Sequence, residues 1–138
     1  MAEVEGILRI IEALRKEVPV FCMIDEIFRG TNPIERVASS AAILEYINRY
    51  NAITFVATHD RELTDMLKDK YEFRYFAENV DKKNGMTFDY KIKNGISKTR
   101  NAIKVLEYVG YPKEITDYSK EYAKELDKIS WFYVSLRI

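Results

Sequence analysis

Cysteine is almost absent from the sequence: Cys22 stands alone. A disulfide within the chain is therefore impossible, and so is a zinc site built on cysteines. Cys22 lies in an apolar run, which predicts a buried, unreactive thiol. No apolar stretch approaches the roughly 20 residues of a membrane-spanning helix. The opening residues, Met1-Ala2-Glu3-Val4, lack the charged-then-apolar layout of a signal peptide. The expected setting is soluble and cytoplasmic, without a membrane partner. An excess of one charge is missing too, with 22 basic against 22 acidic residues. This balance gives no electrostatic argument for nucleic-acid binding by this segment. The five glycines are Gly6, Gly30, Gly85, Gly95 and Gly110, and none precedes a lysine. The chain thus has no Gly-x-x-x-x-Gly-Lys-Ser/Thr loop, whose backbone amides would cradle phosphates.

What is present suffices for a core. The chain is 47% hydrophobic and 13% aromatic, and its 138 residues fit one domain. Val4, Ile7, Leu8, Ile11 and Leu14 recur at three- and four-residue steps, predicting a helix over 2–17 with those residues on its buried face. Val18-Pro19 ends it, because the residue before proline avoids helical angles. Val20 to Ile24 is a continuous apolar run, which predicts a strand buried on both faces, as in a parallel sheet. Asp25 and Glu26 stand at its end. Phe28 to Asn32 reads as a loop. Asn32-Pro33, with Glu35 three residues after the asparagine, reads as a helix cap. That helix is expected over 33–50, burying Val37, Ala38, Ala41, Leu44 and Ile47.

Ala52 to Thr58 is the second expected buried strand, with His59 at its tip and a short helix over 60–70 after it. Residues 71–80 and 86–93 predict a β-hairpin about an Asn84-Gly85 turn. Met86, Phe88, Tyr90 and Ile92 alternate with polar residues, so one hairpin face should be buried. Ser97 is expected to cap a helix ending at Gly110, and a charged helix follows Pro112 to about residue 129. Trp131 to Ile138 carries no assignable pattern. The order reads as α/β with parallel strands, flanking helices and a C-terminal-side hairpin.

A helix joining two parallel strands brings their C-terminal ends to one edge, where open α/β sheets bind ligands. Asp25, Glu26 and His59 all sit at that edge. An acidic pair after an apolar strand is the Walker B pattern. The first acid helps hold Mg²⁺, the second orients or deprotonates a water, and a neighbouring histidine can donate to a terminal phosphate. Each residue also fits a plainer role. The acids can be the polar end of a strand, and a lone histidine can be structural. Spacing alone does not name ATP.

The segment Ile24-Asp25-Glu26-Ile27-Phe28-Arg29-Gly30-Thr31-Asn32 resembles the Walker B and D-loop stretch of the MutS family. Phe55-Val56-Ala57-Thr58-His59-Asp60-Arg61-Glu62-Leu63 is similar to that family's switch segment. Gly95-Ile96-Ser97 through Val109-Gly110-Tyr111-Pro112 is similar to its closing pattern. The resemblance implies the C-terminal half of an ABC-type P-loop NTPase domain, with the phosphate-binding loop and signature serine lying upstream of this segment. It implies Asp25 for Mg²⁺, Glu26 for the catalytic water and His59 for the γ-phosphate of ATP. It also implies that Arg29, Gly30, Thr31 and Asn32 form a D-loop at a homodimer interface, and that domains absent here contact DNA. Phe28 departs from the family, many of whose members have glycine there. Ile27 departs from the proline usual in ABC transporters and favours MutS.

The function so implied is part of a Mg²⁺-dependent ATPase in mismatch repair or a related DNA transaction. The alternative is a non-catalytic dimerisation or interaction module. A third reading, a metal-dependent nuclease using Asp60, Glu62 and Asp65 beside the acidic pair, lacks a recognisable ligand spacing.

Overall fold

The computed structural model describes residues 2–81, 85–97 and 101–135. These fall into two compact units, Met1–Phe73 and Arg74–Ile138.

In the first unit, helix α1 (Ala2–Leu14) leads into strand β1 (Val20–Asp25), helix α2 (Pro33–Ile47), strand β2 (Ala52–Ala57) and the short helix α3 (Glu62–Met66). The two strands pair in parallel from Val20↔Ala52 to Asp25↔Ala57. One side of this sheet is the core. Cys22 and Ile24 point there, with Leu14 from α1, Ala41, Leu44 and Ile47 from α2, and Leu63 and Leu67 from the α3 region. The Cys22 thiol is buried, as its apolar setting predicted, and donates to Thr54 Oγ1 of the facing strand at 3.3 Å.

The other side of the sheet is open. Phe21, Met23, Ile53 and Phe55 are exposed, Met23 by 74%, and the rings of Phe21 and Phe55 meet edge to face at 5.9 Å. Burial on both faces is therefore not what the structure shows. The strand order and direction were encoded, but the apolar outer face is uncovered among the described residues. On α1 the buried stripe runs through Ile7, Ile10, Ile11 and Leu14, while Val4 and Leu8 are exposed. The expected face was thus too wide at its first turns. Ala38 likewise faces solvent on α2, off the stripe that Ala41, Leu44 and Ile47 place on the sheet.

Helix α2 starts where the capping pattern put it. Asn32 Oδ1 accepts from the backbone N–H of Ile34 at 2.9 Å and of Glu35 at 3.4 Å, with Pro33 in the first helical turn. It satisfies donors that would otherwise be orphaned at a helix start.

In the second unit, β3 (Arg74–Tyr75) pairs antiparallel with β6 (Lys93–Asn94), and β4 (Glu78–Asp81) with β5 (Gly85–Phe88). The β4–β5 hairpin answers the predicted one, although Asn84 lies outside the described residues. Its strands are shorter than expected, and Met86, Phe88, Tyr90 and Ile92, the residues expected on a buried face, are all exposed. Gly85 has φ +70°, and a Cβ there would lie 2.6 Å from Tyr108 Cζ. Both facts favour glycine.

Helix α4 (Ala102–Val109) begins at Asn101, not at Ser97. The Asn101 amide is buried and donates to the Glu78 backbone carbonyl at 3.2 Å and to its carboxylate at 3.1 Å. The helix start is thus tied to β4. Gly110 closes α4 in the left-handed region, as expected, and the N–H of Tyr111 reaches back to Leu106 O at 3.1 Å. Helix α5 (Lys113–Ser135) runs further than the charged pattern suggested and takes in Trp131, while 136–138 lie outside the described residues. Among the described residues no helix is long and apolar enough to cross a membrane.

Candidate active site

The sheet register sets the site. Asp25 pairs with Ala57 as the last rung, and the N–H of Glu26 extends the ladder to Ala57 O at 2.9 Å. The two strands therefore end side by side, and the residues just beyond the two tips come together. His59 Nε2 lies 3.5 Å from Glu26 Oε1. The imidazole and the acidic pair share one edge of the sheet, as the topology predicted.

The chain leaves β1 through a strained turn. Glu26 has φ +57° and Phe28 φ +60°, left-handed values that cost a non-glycine residue about 1–3 kcal/mol. Such strain persists only where the surroundings hold it. Phe28 packs its partly buried side chain against the core, and Ile27 beside it is buried. Glycine adopts such left-handed values freely, whereas phenylalanine needs the packing.

Arg29 folds back over the acids. Its Nη2 lies 2.8 Å from Asp25 Oδ2 and its Nε 3.2 Å from Glu26 Oε2, and its backbone N–H donates to Glu3 Oε2 at 3.0 Å. The Asp25 side chain is 80% exposed and that of Glu26 32%. Exposed ion pairs of this kind contribute little, so a competing cation meets little resistance there. Gly30 is exposed with φ +74°, Thr31 is exposed, and Asn32 serves as the α2 cap.

Arg36, which the sequence did not single out, and Asp60, named there only for the nuclease reading, line the same cleft. Arg36, one turn into α2, binds Asp60, the neighbour of His59, through two parallel bonds: Nε to Oδ2 at 2.9 Å and Nη2 to Oδ1 at 2.5 Å. The Asp60 bond holds the Arg36 guanidinium above its ordinary pKa. Nothing local in the sequence marks this pair, because an arginine on an amphipathic helix ordinarily reads as solvent-facing. With Glu26, Phe28, Arg29 and His59, the pair walls a cleft of about 200 Å³.

Among the described residues no cluster of three or more His, Cys, Asp or Glu side chains forms a metal site. Asp60, a candidate ligand in the nuclease reading, is committed to Arg36. The adjacent Asp25 and Glu26 carboxylates nonetheless suit Mg²⁺, a hard cation that takes one or two carboxylates and completes its shell with water and phosphate oxygens.

Comparison with known proteins bears on the family directly. The model of MutS domain V matches residues 1–127. The chain belongs to the MutS family. It is 36% identical over 107 residues to the DNA mismatch repair protein MutS of Aquifex pyrophilus, covering 76% of this chain and 12% of that protein. It is 35% identical over 130 residues to the DNA mismatch repair protein MutS of Fusobacterium nucleatum, covering 92% of this chain and 14% of that one. Endonuclease MutS2 of the same organism is 27% identical over 134 residues, covering 92% and 16% respectively. This MutS-family chain therefore spans between 12% and 16% of the length of these curated relatives.

Proposed function

We propose that this chain carries the hydrolytic edge of a MutS-type ATPase site, the C-terminal half of a P-loop NTPase domain in a protein of DNA mismatch repair or a related DNA transaction. The observation that carries the reading is the approach of His59 to Glu26 beside Asp25, at the tips of two parallel strands.

In this reading Asp25 holds Mg²⁺, directly or through a water. Mg²⁺ bound there would supply positive charge to offset that of the phosphate oxygens. Glu26 accepts a hydrogen bond from the attacking water and can take its proton. His59 donates to the terminal phosphate, where negative charge develops. Arg29 releases the two acids and, with Gly30, Thr31 and Asn32, forms the loop that meets a second copy across a nucleotide-bearing dimer interface. DNA contact belongs to domains outside this segment.

Magnitude supports a shared site. Ligand pockets usually span about 300–1,000 Å³, and the cleft offers about 200 Å³. That accommodates the phosphate end of a nucleotide and leaves the rest to be bound elsewhere.

The chain by itself is expected to show no ATP turnover above background; robust turnover would contradict a site completed by other segments. In a longer protein joining this segment to a phosphate-binding loop, Glu26→Gln is expected to lower turnover at least about 100-fold while ATP still binds. Unchanged turnover would sink the ATPase reading and leave a non-catalytic interaction module.

A further inference from the structure

His59 is poorly held by its own side chain. The ring is 95% exposed and reaches Glu26 only at 3.5 Å. An exposed imidazole can sample several χ rotamers, so the backbone on either side sets the point and direction from which those rotamers reach toward Glu26. On one side, β2 is paired to β1 up to Ala57. On the other side stands Asp60. Its N–H donates to Thr58 Oγ1 at 3.0 Å, its carbonyl accepts from Leu63 at 3.2 Å, and both carboxylate oxygens are taken by Arg36.

The Arg36–Asp60 pair is more enclosed than the Arg29 contacts, at 28% and 13% side-chain exposure. It joins the helix that follows the acidic loop to the turn that follows β2. Both loops of the site are thereby tied across the cleft that separates them.

We propose that Arg36 and Asp60 are a positioning pair whose two-bond clasp fixes the turn carrying His59 and so keeps the imidazole against Glu26. Neither residue touches the reacting atoms in this scheme. The planar guanidinium fork is what the job needs, since it resists rotation about a single contact. A lysine would supply charge without that restraint. The proposal deepens the ATPase reading, from which it takes the importance of the His59–Glu26 approach. The clasp itself is tested without nucleotide, so the two can fail separately.

The sequence has one histidine, so its imidazole gives one identifiable ¹H–¹³C NMR signal. In the unaltered chain, Glu26→Gln is expected to move the His59 Hε1–Cε1 peak, because a carboxylate beside the ring becomes a neutral amide. In Arg36→Ala and Asp60→Asn backgrounds, that same change is expected to move the peak less than about half as far. A full response in either background overturns the proposal. Arg36→Lys, the variant least disturbing to folding, is also expected to weaken the response. Dispersed backbone amide signals establish that each variant is folded. A full response in folded Arg36→Lys overturns the proposal even if the other variants do not fold.

Discussion

The His59 imidazole, just beyond the tip of β2, faces the Glu26 carboxylate beyond the tip of β1 across 3.5 Å. The ring has 95% of its side-chain surface open, so it contributes little to the core. His59→Ala is therefore expected to leave the melting temperature where it was. In a longer protein carrying a phosphate-binding loop, the same change should reduce ATP turnover about 100-fold, as loss of one donor to developing charge does elsewhere. Paired thermal melts and phosphate-release assays check both halves. A large loss of stability would assign the residue to architecture.

Tyr71 is a structural counterpart at the back of the sheet. Its hydroxyl donates to the Leu44 carbonyl at 2.9 Å, and burial, with a smaller contribution from Cys22, pushes its pKa up to about 12. An unfolded chain has this phenol near 10. Below that pH both states are protonated, and the stabilisation is fully present. As pH rises from about 10 to about 12 the unfolded state ionises first, so stability falls across that window. Tyr71→Phe should cost about 0.5–1.5 kcal/mol at neutral pH, since Leu44 O still accepts from Asn48. Its alkaline decline should be shallower than that of the unaltered chain. Urea unfolding at neutral and alkaline pH reads the difference, and because the sequence has ten tyrosines, only the comparison between the two proteins is informative.

Asn32 has two roles that substitution can separate. Its side chain caps α2 through Ile34 and Glu35, and its position closes the acidic loop. Asn32→Ala should lower stability by about 1 kcal/mol, and Asn32→Asp should retain most of it, because a carboxylate also accepts from the helix start. Urea midpoints for the two variants check this. An unchanged midpoint in Asn32→Ala would show that the cap contributes nothing.

The local signals in the sequence proved sound. The Asn32-Pro33 cap, the Gly110 stop, the two parallel strands and the convergence of Asp25, Glu26 and His59 on one edge all follow from short-range pattern plus one topological rule. Three readings went astray for a common reason. Hydrophobicity in Phe21, Met23, Ile53 and Phe55, in Met86 to Ile92, and in Val4 and Leu8 announces a wish to be covered, but does not say by what. Ser97 failed differently. A serine before a helical pattern is a good cap locally, yet the described helix starts at Asn101, whose side chain makes no capping bond and instead donates to Glu78, on a strand far back in the sequence. The Arg36–Asp60 clasp is long-range in the same sense, and no window of sequence displays it.

The open side of the β1–β2 sheet has a thermodynamic corollary. Any surface that came to lie over Phe21 and Phe55 would withdraw apolar area from water, at roughly 25 cal/mol for each Å². The unfolding free energy measured on this chain in isolation is therefore a floor. Within a larger assembly that shields those rings, the same residues would resist heat and denaturant more strongly, without any change to the bonds inside the chain.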